Sequence, residues 1–180
     1  MAIEREAAEN DRALLERARA GDSVACAILH GRYRRLVHGL ALSLVPSSDV
    51  DDLSQDVFLR AFSRLDQLRD SNAFGPWLTT MTRNLARDQH RRRQRHPSLA
   101  SIESESASTE DRDSELRERV FACIRSLPEA YREPLTLRLV EGLDGPEIAR
   151  MTGKTHGSLR VNLHRGMQRL RTMLEGEGWP

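Results

Sequence analysis

The 180 residues carry 28 Lys and Arg against 27 Asp and Glu, a net charge of +1 that conceals strong segregation of sign along the chain. With 31% charged residues, 4% aromatics and no strand-like alternation, the composition points to an all-α protein of one domain or two small ones. Cys26 and Cys123 stand far apart without a CxxC spacing, as in a reduced cytosolic protein. Charged residues from Glu4 to Glu9 argue against a signal peptide, and no window approaches the roughly 18 apolar residues of a membrane span, so a soluble, cytoplasmic chain is expected.

Residues 11–20 predict a short amphipathic helix with Ala13, Leu14 and Ala18 inward, stopped at Gly21-Asp22. Ser23 is placed to cap a second helix to about Leu44, with Ala25, Ile28, Leu29, Leu36, Val37, Leu40 and Leu44 at helical spacing. After Pro46-Ser47-Ser48, Asp49 or Asp51 opens a third helix to about Leu65, with an inward stripe of Val50, Leu53, Val57, Phe58, Ala61, Phe62 and Leu65. Its other face carries Asp52, Gln55 and Asp56, for which the helix dipole alone is one sufficient reason. A loop over 70–76 leads to a fourth helix with Trp77, Leu78, Met81 and Leu85 inward. Its outward face and extension carry Arg83, Arg87, Arg91, Arg92, Arg93 and Arg95, with His90 and His96, opposed only by Asp88. Such a run is often a plain solvated face; beside Phe74 and Trp77 it also offers the charge and stackable rings that single-stranded nucleic acid needs. Trp77 falls on the apolar stripe, which favours a core role.

Pro97 closes this first domain, residues 1–96. Residues 97–114 are rich in Ser and Glu and poor in apolar groups, a flexible acidic linker by composition. The second domain, 115–175, begins with a helix marked by Leu116, Val120, Cys123, Ile124 and Leu127. Pro128 opens the next helix, with Leu135, Leu139 and Val140 inward and Pro134 expected to kink it. Asp144 is a candidate N-cap, Pro146 suits a first turn, Ile148, Ala149 and Met151 face inward, and Gly153 ends the short helix. A further helix starts near Thr155, with Leu159 and Leu163 on one face. From Lys154 to Arg171 it carries Lys154, Arg160, Arg165, Arg169 and Arg171 and no acid. A helix-turn-helix with a basic second helix lays that helix in a DNA major groove, although an αα-hairpin with a solvated basic face has the same spacing. Residues 176–180 form a tail.

Chemistry of other kinds finds no support. Gly153-Lys154-Thr155 resembles the end of a phosphate-binding loop, but Ile148 occupies the position that must be Gly, and no strand precedes it. The six histidines show no paired metal-ligand spacing, and no nucleophile sits in a recognisable elbow. No catalysis, cofactor or metal is expected.

Asp51-Asp52-Leu53-Ser54-Gln55-Asp56-Val57-Phe58, then Phe74-Gly75-Pro76-Trp77-Leu78 with Arg83-Asn84-Leu85-Ala86-Arg87-Asp88 and the Arg cluster, then Ser126-Leu127-Pro128, then Glu141-Gly142-Leu143 with Glu147-Ile148-Ala149, follow one another in an informative order. Together they resemble the bacterial RNA polymerase sigma factors of the extracytoplasmic-function (ECF) group, over about 11–95 and 115–172. The resemblance implies a promoter-specificity subunit and not an enzyme. It would place Asp52, Gln55 and Asp56 on the clamp of core RNA polymerase. It would give Asn72, Phe74, Arg83, Asn84, Arg87 and Arg91 to the unpaired −10 strand of promoter DNA. Lys154, His156, Ser158, Arg160 and Arg165 would read the −35 duplex, and an anti-sigma factor would be the external inhibitor. An autonomous helix-turn-helix regulator, or an adaptor with no DNA function, would leave the acidic face of the third helix or the basic last helix without a role.

Overall fold

The computed structural model describes residues 2–95 and 112–176, with side chains for 11–95 and 115–176, so nearly all of the expected acidic linker lies outside the described residues. Among the described residues there are eight α-helices and no strand. They are α1 (Ala2–Arg19), α2 (Ser23–Leu44), α3 (Val50–Ser63) and α4 (Phe74–Arg95), then α5 (Arg112–Ser126), α6 (Glu129–Leu139), α7 (Gly145–Thr152) and α8 (His156–Gly176).

Helix α2 is the axis. One side of it packs on α1, α3 and α4. There Ala25, Leu29, Val37 and Ala41 close a core with Leu14, Leu15, Val57, Phe58, Phe74 and Leu78. Its other side meets the second helical group: Leu36 and Leu40 are buried with Leu137, Ile148, Ala149, Met151 and Leu159. A third cluster, Phe121, Cys123, Ile124, Leu127, Leu135 and Leu170, joins α5, α6 and α8, and Leu42 of α2 packs against it. A helix apolar on more than one side is buried on more than one side. Gly39 allows the closest approach, since a Cβ there would lie 2.9 Å from Val140 Cγ1.

Several expectations need correction. Helix α1 starts at Ala2, and its buried pair is Leu14 and Leu15, while Ala13 is exposed. Asp22 and not Ser23 caps α2, its carboxylate accepting from Val24 N at 2.9 Å and Ala25 N at 3.2 Å. Arg17 and these amides hold the Asp22 carboxyl below its usual range. Ile28 and Leu139 are exposed, and Leu137 takes the inward place expected of Leu139. Phe74-Gly75-Pro76 is the first turn of α4 and no loop; Pro is tolerated there because that N–H has no helical partner. Helix α5 reaches back to Arg112, into the stretch assigned to the linker.

The α6–α8 contact is equally tight: a Cβ on Gly166 would lie 2.9 Å from Leu135 Cδ1 and 3.0 Å from Tyr131 Cβ. Ala in place of Gly gains up to about 1 kcal/mol of helix propensity, whereas overpacking a well-filled core costs about 1–3 kcal/mol. Packing should win, so Gly166→Ala is expected to lower the thermal midpoint. An unchanged or raised midpoint in a calorimetric scan would show that α6 and α8 have room to spare.

Candidate polymerase and nucleic-acid interfaces

Helix α3 sorts its residues by period. Leu53, Val57 and Phe58 are buried, which turns Asp52, Gln55 and Asp56 outward, all three exposed. Asp49, expected as a possible cap, behaves otherwise. It occupies the N-cap position without a side-chain capping bond, is 9% exposed, and its carboxylate pairs with Arg93 and accepts from Gln89 Nε2 at 3.3 Å. The basic end of α4 is thereby tied to the start of α3.

The α4 surface is built by the same alternation. Leu78, Thr82, Leu85 and Ala86 are buried, leaving Asn84, Arg87 and Arg91 exposed and Arg83 half-buried. Phe74 is a correction to the expected strand-binding set. Its ring is fully buried, edge-on to Tyr33 at 5.0 Å between centroids and 6.2 Å from Trp77, so no face is open to a base. Trp77 is half-buried against the same core. Tyr33 donates to Asp11 Oδ2 at 2.5 Å, and burial followed by that carboxylate pushes its pKa upward. Asn72 is exposed in the turn before α4, where the Asp70 carboxylate accepts from its backbone N–H at 2.9 Å.

The helix-turn-helix is defined at each joint. Asp144 Oδ1 accepts from Glu147 N at 2.8 Å while Glu147 Oε2 accepts from Asp144 N at 2.9 Å, a reciprocal capping box. Gly153 ends α7 at φ 68°, a left-handed conformation that favours glycine. Thr155 Oγ1 accepts from Ser158 N at 3.3 Å and starts α8. With Leu159 buried, His156, Ser158, Arg160 and Arg165 are exposed and Lys154 is partly covered.

The structure also brings together residues that spacing alone kept apart. Arg83 pairs with Glu133 and Arg87 with Glu129, both partners on α6. Arg150 of α7 donates to the Asn72 carbonyl at 3.0 Å, and Arg35 of α2 lies 3.4 Å from Glu141. Burial raises the Glu133 pKa, against the opposing pull of Arg83 and Lys154, and Glu129 adds to the rise. Burial likewise raises Glu141 over the opposing pull of Arg35. Glu129 and Glu133 carried no sequence signal, because α6 shows no charge pattern that names a partner. A groove of about 1130 Å³ between the two helical groups, lined by Cys26, His30, Phe58, Leu59, Phe121 and Leu139, gives the exposed Leu59 and Leu139 a common setting. Cys26 is half-buried on this groove, while Cys123 is buried. Among the described residues no group of His, Cys, Asp or Glu is arranged to hold a metal, and no helix is long and apolar enough to cross a membrane.

An all-helical chain with an outward acidic face, a basic helix beside it and a capped helix-turn-helix has the build of a DNA-binding protein. Sigma-70 region 2 matches residues 29–96 and Sigma-70 region 4 matches residues 117–170. The ECF RNA polymerase sigma-E factor of Escherichia coli (strain K12) is 32% identical, over 88% of this chain and 91% of that protein. The structure of CnrH in complex with the cytosolic domain of CnrY superposes with a TM-score of 0.71 at 25% identity, covering 93% of this chain and 98% of CnrH. The sigma factor RpoE of Bartonella quintana, solved with the anti-sigma factor NepR, shares the fold, with a TM-score of 0.59 at 21% identity, over 78% of this chain and 90% of that one. The chain belongs to the ECF RNA polymerase sigma factors. It is a transcription initiation factor that binds core RNA polymerase and directs it to promoter DNA.

The Glu133 shift has a sign that can be tested. A carboxyl whose pKa is raised by burial takes up a proton more readily in the packed state, so packing tightens as pH falls through the upper carboxylate range and loosens as it rises. Glu133→Gln removes the desolvated charge yet keeps an acceptor for Arg83. Its thermal midpoint at neutral pH should equal or exceed that of the parent chain. A drop of several degrees would mean that the ion pair holds the two helical groups together.

Proposed function

We infer that promoter recognition is divided between residues 1–96 and 115–175, with the intervening acidic stretch as tether. Asp52, Gln55 and Asp56 dock on the clamp of core polymerase. Asn72, Arg83, Asn84, Arg87 and Arg91 hold the melted −10 strand, where guanidinium groups meet phosphates and bases stack or pair at their edges. Lys154, His156, Ser158, Arg160 and Arg165 engage the −35 duplex, and Arg160 is best placed for a bidentate guanine contact or a phosphate. Catalysis stays with the polymerase; this chain positions and melts DNA in the cytoplasm and is no enzyme itself. The groove holding Leu59 and Leu139 is the seat of an apolar helix of an anti-sigma factor. The observation that carries this reading is one chain presenting an outward acidic face on α3 and an outward basic face on α8, each opposite buried leucines.

Reversing both acids, Asp52→Lys with Asp56→Lys, should abolish co-elution with core polymerase while the thermal midpoint stays within a few degrees. Retained co-elution would remove α3 from the polymerase interface. Arg160→Ala should weaken binding of promoter duplex by about 1–3 kcal/mol and relax preference at one base pair. Unchanged affinity and preference would take Arg160 out of the reading role.

A further inference from the structure

Helix α8 buries Leu159, Gly166 and Leu170 against the rest of the protein. At about 100° per residue, the line opposite those three runs through Gly157, Val161 and Gln168, each within about 20° of it. His164 and Arg165 lie about 40° and about 60° to either side of that line, and Arg160 about 80° away. The outermost side chain in the first two turns of α8 is therefore Val161, an apolar residue 46% exposed on a basic helix. Val161 belongs to none of the three hydrophobic clusters. A Cβ on Gly157 would meet nothing within 4 Å, and Gly157 is not among the glycines of positive φ. Glycine and β-branched valine are both poorer helix formers than alanine. Helix α8 thus carries two weak helix formers, one turn apart, at the centre of its exposed face, and the chain itself has no use for either.

We propose that Val161 is a specificity-determining residue of the −35 site. Its methyl groups rest on the C5-methyl of a thymine, and Gly157, one turn earlier, lets the helix backbone come close to the groove floor. This rests on the reading that α8 engages the −35 duplex.

The chemistry of the major groove selects the base. Cations on the flanks of α8 reach phosphates and supply affinity that is largely indifferent to sequence, whereas the line facing the groove floor meets base edges. The thymine methyl is the one apolar group displayed there. Valine set against a cytosine amino group or a guanine carbonyl would strip its water and return no hydrogen bond. Set against a thymine methyl it excludes water from two apolar surfaces at once. The stiffness of a β-branched side chain at χ1 holds the methyls in place before DNA arrives.

The test uses core polymerase carrying the full chain and a random-sequence duplex pool, sequenced after selection. Each thymine of the enriched upstream element is then replaced by uracil, which pairs identically and lacks only the methyl. At one thymine the parent should lose affinity about fourfold, the transfer free energy of one buried methyl. Val161→Ser and Val161→Asn should show no loss at that thymine, and either variant serves if the other folds poorly. Gly157→Ala should raise the thermal midpoint yet lose affinity for the enriched duplex, a split that a purely structural role would not give. Unchanged affinity in Gly157→Ala would overturn the close approach. Losses at every thymine equal in parent and variants, or absent from all, would overturn the role of Val161. If Arg160→Ala with Arg165→Ala still abolishes enrichment, the −35 reading then stands without it. The same upstream element enriched by that double Arg variant, or none enriched by the parent, would overturn the −35 reading and the role of Val161 together.

Discussion

Everything in this molecule depends on α2 being buried on two sides. Leu29, Val37 and Ala41 serve the core shared with α1, α3 and α4, while Leu36 and Leu40, one position removed around the helix, serve a core whose other members come from α6, α7 and α8. At 100° per residue, adjacent residues such as Leu36 and Val37 face different neighbours, so a single helix can belong to two hydrophobic clusters. Gly39 completes the condition by letting Val140 approach where any side chain would collide. The meeting of the two helical groups follows from this sharing.

The functional surfaces are what remains after the cores are satisfied. On α3, α4 and α8 the buried stripe is narrow and regular, so the opposite face is defined with little freedom: acidic on α3, basic on α4 and α8. Caps fix where those faces begin. The Asp144–Glu147 box and the left-handed Gly153 orient α7 against α8, and a slip of one residue there would turn the exposed face that carries His156 and Arg160 by about 100° relative to α7. The Asp49–Arg93 pair does similar work for α4, joining its basic end to the helix that carries the acidic face.

Much of this was legible in the sequence. The helical periods of α2, α3, α5 and α8, the capping residue Asp144 and the stop at Gly153 all follow from local rules that the fold obeys. The errors share a physical cause. Ser23 and Asp22 are both good capping residues, and only tertiary placement decides between them. Gly75-Pro76 reads as a turn, yet the same pair is acceptable in a first helical turn, and that choice buries Phe74 and removes it from the strand site. Ile28 and Leu139 are apolar at plausible spacing but face solvent or a groove, because periodicity locates a stripe without saying how wide the partner is. The pairing of Arg83 and Arg87 with Glu133 and Glu129 spans 50 and 42 residues of chain, and no local pattern announces it.

Sigma activity itself is most directly tested by run-off transcription from pooled genomic fragments of the source bacterium, using sigma-free core polymerase with and without the chain. Discrete transcripts that arise only when the chain is present, and that share upstream sequence at two spaced elements, are the predicted result. An unchanged transcript pattern from core polymerase to which the chain is demonstrably bound would contradict the account.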